Sequence, residues 1–227
     1  MIEVNDSNFL KKMFIDEAKP ALEWFDIRWG ASIIPEEYTK VAYVQNAAST
    51  YFDTGVYCSY DMEFFIRATC DRGTGSFYIL QARDGSGGKI HGISGSSSGG
   101  TITANCSGIS ITSNIIRQAG HKYDISMTTK DGIMRLYVKD ITTGEYDTQI
   151  ATIDNADVSS NTIGMFGNGF NYVAAGIQVE HAKIVKDGVI AIDYIPARKG
   201  NDDGVYDLVT KTFYMPTKGD AISGPDL

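Results

Sequence analysis

From about Val41 onward the chain predicts an all-β sandwich, and three observations carry that expectation. Apolar residues recur at every second position in several separate runs, the spacing that lays one face of a strand against a core. Two Asp-Gly dipeptides, Asp131-Gly132 and Asp187-Gly188, each sit between two such runs. Both residue types tolerate the positive φ of a type I′ turn, whose twist matches an antiparallel pair. Gly, Ser, Asn and Asp punctuate the runs about every eight to twelve residues, the turn spacing of sandwiches and barrels.

Residues 1–40 read differently. Asn5, Asp6 or Ser7 can cap a helix in which Phe9, Leu10, Met13 and Phe14 recur at helical spacing, and Pro20 kinks or restarts it. Leu22, Trp24, Phe25 and Trp29 follow, so both tryptophans of the chain fall here. A stretch this short cannot bury so much aromatic surface against itself. It is therefore expected to be a partly helical arm that packs back on the sandwich or docks another protein, with Phe9, Leu10, Phe14, Leu22, Trp24, Phe25 and Trp29 as anchors.

Residues 41–227 form the predicted sandwich domain. Met62, Phe64, Ile66 and Ala68 alternate with Glu63, Phe65 and Arg67, and Phe77, Ile79 and Gln81 follow a Gly73-Thr74-Gly75 turn. The segment from Asp84 to Gly100 is rich in Gly and Ser and reads as two short strands with Ile90 and Ile93 buried. Tyr123, Ile125 and Met127 face one way, Asp131-Gly132 turns, and Met134, Leu136 and Val138 return. Ahead of Asp187-Gly188, Val179 and Ile184 have opposite parity, which predicts a bulge or burial on both faces. After the turn, Ile190, Ile192 and Tyr194 share a face until Pro196, which lacks a ladder donor and is expected to end the strand.

This last stretch carries a family resemblance. Lys183, Ile184, Gly188, Asp193, Tyr194, Ile195, Pro196 and Arg198, then Gly204, Tyr206-Asp207-Leu208-Val209, Phe213-Tyr214 and Gly224-Pro225, resemble the closing strands of concanavalin A-like (laminin-G-like) lectin and glucanase jelly rolls. Such domains recur in bacteriophage tail and fibre proteins and in surface proteins of gut bacteria. Tyr43-Val44-Gln45 and Tyr51-Phe52-Asp53-Thr54-Gly55 are similar to the family's opening strand, so the resemblance spans about four-fifths of the chain. Two turns depart from it: Asn46-Ala47-Ala48-Ser49 has no glycine, and Thr210-Lys211 replaces threonine-glycine. Lysine is a poor occupant of a positive-φ site, so the second turn is expected to be a longer loop or a strained one. The resemblance implies a jelly roll; it does not fix a function.

Bulk properties narrow the classes. A chain of 227 residues with 43% hydrophobic and 21% charged residues has room for one well-cored sandwich plus an appendage. The net charge of −8 speaks against nucleic acid, whose binding rests on clustered Lys and Arg. No apolar run is long enough to span a membrane, and MIEVNDSNFLKKMF lacks the basic start and apolar core of an export signal. Cys58, Cys70 and Cys106 form no CxxC pair and leave one over, so all three are expected to be reduced and mostly buried.

Catalytic motifs fail on inspection. Gly95-Ser96-Ser97-Ser98-Gly99 matches a nucleophile elbow in letters, but β-like Thr101-Ile102-Thr103 follows where a helix is needed. Gly87-Gly88-Lys89-Ile90 lacks the spacing and hydroxyl of a phosphate loop. His91, His121 and His181 have no metal-ligand spacing, and the paired carboxylates by which sandwich glycosidases act are missing. No cofactor is expected and no enzyme. Binding remains: Asn168, Phe170, Asn171 and Tyr172 suit sugar stacking and hydrogen bonding, and Asp202 and Asp203 are candidate ligands for Ca²⁺. The expectation is a homo-oligomeric phage virion protein, made without export, that docks other virion proteins through its arm and displays a jelly roll to a cell-surface glycan. A bacterial carbohydrate-binding or adhesin module is the alternative, and a glycan hydrolase stands behind both.

Overall fold

The computed structural model describes residues 34–46, 50–71, 73, 75–85, 89–96, 99–153, 158–167 and 176–227. Among these residues the strands in chain order are β1 (Thr39–Lys40), β2 (Val44–Asn46), β3 (Phe52–Tyr57), β4 (Met62–Cys70), β5 (Phe77–Arg83), β6 (Ile90–Gly95), β7 (Ile102–Cys106), β8 (Ile109–Thr112) and β9 (Lys122–Lys130). Then come β10 (Ile133–Asp140), β11 (Tyr146–Thr152), β12 (Thr162–Met165), β13 (Ile177–Lys186), β14 (Val189–Lys199), β15 (Asp202–Asp207), β16 (Thr212–Tyr214) and β17 (Ala221–Ser223).

They pair antiparallel into two sheets. The larger runs β11-β10-β9-β4-β13-β14-β15-β16, with β1 on β14, β2 on β13 and β17 on β2; the smaller runs β3-β12-β5-β6-β7-β8. One core lies between them. Met62, Phe64, Ile66 and Ala68, Tyr123, Ile125 and Met127, and Met134, Leu136 and Val138 line it from the large sheet as the alternation predicts. Phe52, Phe77, Leu80, Ile93, Ile102 and Met165 meet them from the small one. The all-β, two-sheet jelly-roll class is thus present, and the expected helix of the arm lies outside the described residues.

Both Asp-Gly turns form as the sequence requires. Asp131 and Gly132 have φ of 51° and 72°, Asp187 and Gly188 of 51° and 76°, and the flanking Lys130↔Ile133 and Lys186↔Val189 pairs close two-residue loops. The parity break in β13 is a bulge: pairing with β4 steps from Val179 to His181 and leaves Glu180 over. A second shift on β14 steps from Ile192 to Ile190, so Ile190 does not share a face with Ile192 and Tyr194 in the unbroken alternation the sequence suggests.

Three further expectations are corrected. β14 continues through Pro196 to Lys199, because the ring removes only a donor and the Pro196 carbonyl still accepts the Val41 N–H at 3.2 Å. A register shift in β5 between Tyr78 and Leu80 breaks the alternation of Phe77, Ile79 and Gln81, and Gln81 is buried. Among the described residues of 84–100 there is one strand, β6, with Ile93 buried and Ile90 half-buried. Ahead of β1, Ile34 and Tyr38 pack against Ile195, Ala197 and Tyr206.

The Thr210-Lys211 departure resolves into a four-residue loop. Asp207 ends β15 and its carboxylate accepts the N–H groups of Val209 (3.1 Å) and Thr210 (3.3 Å), while Lys211 N–H returns to the Asp207 carbonyl at 2.9 Å. Asp140 does the same for Thr142, Thr143 and Gly144 at the end of β10. The two loops differ at the last position, where Gly144 has φ of 82° and Lys211 has φ of 58°. A side chain in this left-handed region costs about 1–2 kcal/mol, offset in part by the lower unfolded-state entropy of a non-glycine residue. Lys211→Gly should therefore raise stability by about 0.5–1 kcal/mol, read as a higher urea midpoint; a lower midpoint would show that lysine makes a compensating contact.

Candidate interaction surfaces

The motif residues of the C-terminal strands prove to be internal ties. Asp193 on β14 is hydrogen-bonded to His181 Nε2 on β13 and lies 3.3 Å from Lys183 Nζ, and its N–H donates to Asp207 Oδ1 at 2.9 Å. Burial pushes the Asp193 carboxyl up, but the hydrogen bond and charge of His181 and the Lys183 ammonium outweigh it and hold the group below the usual carboxylate range. Arg198 binds Asp203 at 3.0 Å and Asp226 at 2.9 Å, stitching β14 to β15 and to the chain's last residues. Gly204 is required by space: a Cβ there would lie 2.3 Å from the Tyr214 carbonyl oxygen.

The tie of Asp193 to His181 and Lys183 belongs to the outer face of the large sheet, whereas Arg198 and Asp203 share the parity of Val205, on the core side. Across the outer face the register sets Lys139 opposite Asp124, Asp124 opposite Arg67 and Arg67 opposite His181. Arg67 grips Asp124 in a two-pronged contact, 2.7 Å from each nitrogen to its oxygen. The bulged Glu180 accepts from Lys122 (2.8 Å) and Thr69 (3.0 Å). Toward β16 the face becomes aromatic: the Tyr38 ring sits 5.1 Å from Tyr206 and 5.6 Å from Phe213.

The outer face of the small sheet has the opposite chemistry. Strands β5 to β8 carry a single arginine or lysine, Arg83, and no carboxylate. Asn105 and Ser110 are cross-strand neighbours, Ser94, Thr103 and Thr112 make the next row, and Gln81 and Gly92, in line with Asn105, are buried. Ser110 donates to Asn105 at 2.7 Å, Asn105 to Ser94 at 3.3 Å, and the Thr103 and Thr112 hydroxyls meet at 3.1 Å. Such a hydroxyl and amide surface can hydrogen-bond a neutral polar ligand without desolvating a charge.

The residues singled out in the sequence fare unevenly. Asn168, Phe170, Asn171 and Tyr172 lie outside the described residues, as do Phe9, Leu10, Phe14, Leu22, Trp24, Phe25 and Trp29. Asp202 is exposed at the start of β15, while Asp203 is held by Arg198 and by the Ser223 N–H at 3.1 Å. Among the described residues no three His, Cys, Asp or Glu side chains are grouped to hold a metal ion. His121 pairs with Asp140 at 2.7 Å.

Arg117 went unnoticed in the sequence, and His91 was considered there only as a metal ligand to be excluded. Arg117 is buried and donates to the carbonyls of Gly100 (3.0 Å), Gly75 (2.9 Å) and Ser96 (2.7 Å), with its guanidinium 4.4 Å from the Phe77 ring centre. His91 is fully enclosed, its Nδ1 3.5 Å from Cys106 Sγ and its ring 5.6 Å from Phe64, while Nε2 has no partner. Burial pushes its pKa down to about 4.

The fold and these surfaces define a two-sheet β-sandwich of jelly-roll type. No family model and no curated protein matches the chain. Solved structures do: a Bacteroides ovatus protein inferred to bind carbohydrate matches over 83% of this chain and 62% of its own, with a TM-score of 0.54 at 12% identity. The LG1-3 region of the laminin α2 chain matches over 82% of this chain and 35% of its own, with a TM-score of 0.52 at 11% identity. Looser likenesses extend to a bacteriophage tailspike and to scytalido-glutamic peptidase. At such identities the likeness is one of fold.

Proposed function

We propose that this chain is a non-enzymatic bacteriophage virion structural protein, a short fibre, decoration or tail-tip subunit, displaying its jelly roll outward. The observation that carries the reading is a lectin-type sandwich whose cysteines are all unbridged. Burial pushes the Cys58 thiol up to about 12 and the Cys70 thiol to about 11, so both are inert packing groups. A sandwich of this type meets its ligands outside a cell, whereas unbridged thiols suit folding in a reducing cytoplasm. A virion protein, made in the bacterial cytoplasm and released by lysis, meets both conditions. In this reading residues 1–40 join the subunit to other virion proteins and to sister copies. Glycan contact falls to Asn168, Phe170, Asn171 and Tyr172 and to the neutral face of the small sheet.

Mass spectrometry of purified particles should find the chain, and full-length Trp24→Ala/Phe25→Ala should remain soluble yet be lost from them. Absence of the wild-type chain from particles sinks the reading. The likeness to the Bacteroides ovatus protein favours a second one, a bacterial carbohydrate-binding module, for which the chain binds cells or glycans and is absent from every particle.

A further inference from the structure

A sheet edge presents unpaired N–H and C=O groups, and proteins that stay apart defend such edges with short strands, bulges, lysine or proline. Among the described residues the free edges are defended with one exception. β16 is three residues long, follows Lys211 and ends just before Met215-Pro216; β17 has three residues, β1 two and β8 four. β3 carries Asp53 and Gly55, the latter at φ of 70°, and its pairing with β12 slips between Thr162 and Gly164. β11 is seven residues long, pairs with β10 without a shift from Tyr146 to Thr152, and contains no lysine, arginine, proline or glycine. Among the described residues its other edge has no backbone partner.

The side chains of that edge are those of an interface. Tyr146 is 53% and Ile150 40% exposed, alternating with Thr148 and Thr152 in an uncharged outer row, and Tyr146 stacks on Tyr137 of β10 at 6.3 Å. On the side toward the small sheet, Asp147 is engaged by the Asn114 N–H at 2.7 Å and by Gln149. Antiparallel pairing of β11 with itself about a two-fold axis at Gln149 sets Thr148 opposite the second copy's Ile150, Asp147 opposite Ala151 and Tyr146 opposite Thr152. The single charge of the strand then lies about 13 Å along the strands from its own copy, four residues at about 3.3 Å each. Like meets like only at the neutral Gln149.

We propose that β11 is a self-association edge: two copies join β11 to β11 and run the large sheet from one subunit into the next. This needs neither a virion nor the N-terminal arm, and so goes beyond the function proposed above. Sedimentation equilibrium of the full chain at micromolar concentration should give roughly twice 24.7 kDa. In Thr148→Lys/Ile150→Lys each lysine faces a lysine across the axis, which should weaken the dimer by about 100-fold or more while thermal unfolding at high dilution, where both chains are monomeric, stays within about 2 °C. Gln149→Cys should give a disulfide-linked dimer on air oxidation, absent from the wild type and from the double-lysine chain carrying the same cysteine. A wild-type monomer up to about 100 μM overturns the proposal. So does a dimer that resists the lysines but dissociates in Trp24→Ala/Phe25→Ala, which would place the contact in the arm. If the double variant fails to fold, Gln149→Cys decides alone, and no cross-link sinks the edge.

Discussion

Arg117→Met should lower the thermal midpoint by about 10 °C. The methionine fills much of the space but takes the guanidinium away from the carbonyls of Gly75, Ser96 and Gly100, of which Gly100 keeps the backbone N–H of residue 117. A hydrogen bond to a charged group contributes about 1.5–3 kcal/mol, and a buried acceptor left unmet costs about as much as it gained. Some relaxation is expected, so the sum falls to about 3–5 kcal/mol, and a domain of this size moves about 2–4 °C per kcal/mol. Arg117→Lys should fall between, because an ammonium reaches one or two carbonyls and cannot lie flat on Phe77. Differential scanning calorimetry checks this; a methionine variant within about 2 °C of wild type would mean that the three turns hold their shape without the arginine.

Acidification from pH 6.5 to 4 should cost about 3 kcal/mol through His91. The sign follows from its depressed pKa. Above 6.5 the imidazole is neutral in both folded and unfolded chains and the fold has its full stability. Between 6.5 and about 4 the unfolded chain binds a proton that the folded chain refuses, so stability falls with pH; below about 4 both bind it and the loss stops growing. His181 is also depressed by its burial and adds to the same slope. Asp84, Asp140, Asp147, Asp193 and Asp203, all depressed by their hydrogen bonds against the opposing effect of burial, act only below the usual carboxylate range. His91→Gln should start from a lower stability at pH 7, with a shallower decline to pH 4. Equal slopes in urea titrations of the two chains would remove His91 from the account.

What could be read from the sequence was what local chemistry dictates. Period-two runs in β4, β9 and β10 have one core face each, and Asp-Gly admits one two-residue turn, so those elements were legible. Pro196 misled because only tertiary pairing decides which side of a strand needs a donor. The serine run at Gly95 to Gly99 looks like a failed nucleophile motif; Ser96 instead supplies a carbonyl to Arg117, which no spacing rule connects to it. Asp193, Arg198 and Gly204 were recognisable as a pattern, but that Asp193 restrains His181 and Gly204 admits the Tyr214 carbonyl needed strands brought together in space. Asp202 and Asp203 looked like a polar loop, but β15 starts with them, and that Arg198 holds Asp203 depends on strand pairing that no local composition reveals.

The pairing of β2 has a bearing on how the chain is made. Val44 to Asn46 find their partners in β13 on one side and β17 on the other, and the Thr50 hydroxyl donates to the Asp220 carbonyl 170 residues away. At about 5–20 residues per second the ribosome takes roughly 10 to 30 s to cover that distance. Until β13 emerges, 133 residues on, β2 exists without either neighbour and β17 follows later still, while the β9–β10 hairpin, closed by its own two-residue turn, can form as soon as it emerges. Synthesis thus proceeds from the first strands to the last, but the large sheet grows outward from its middle, and its earliest-made strands are among the last to be enclosed.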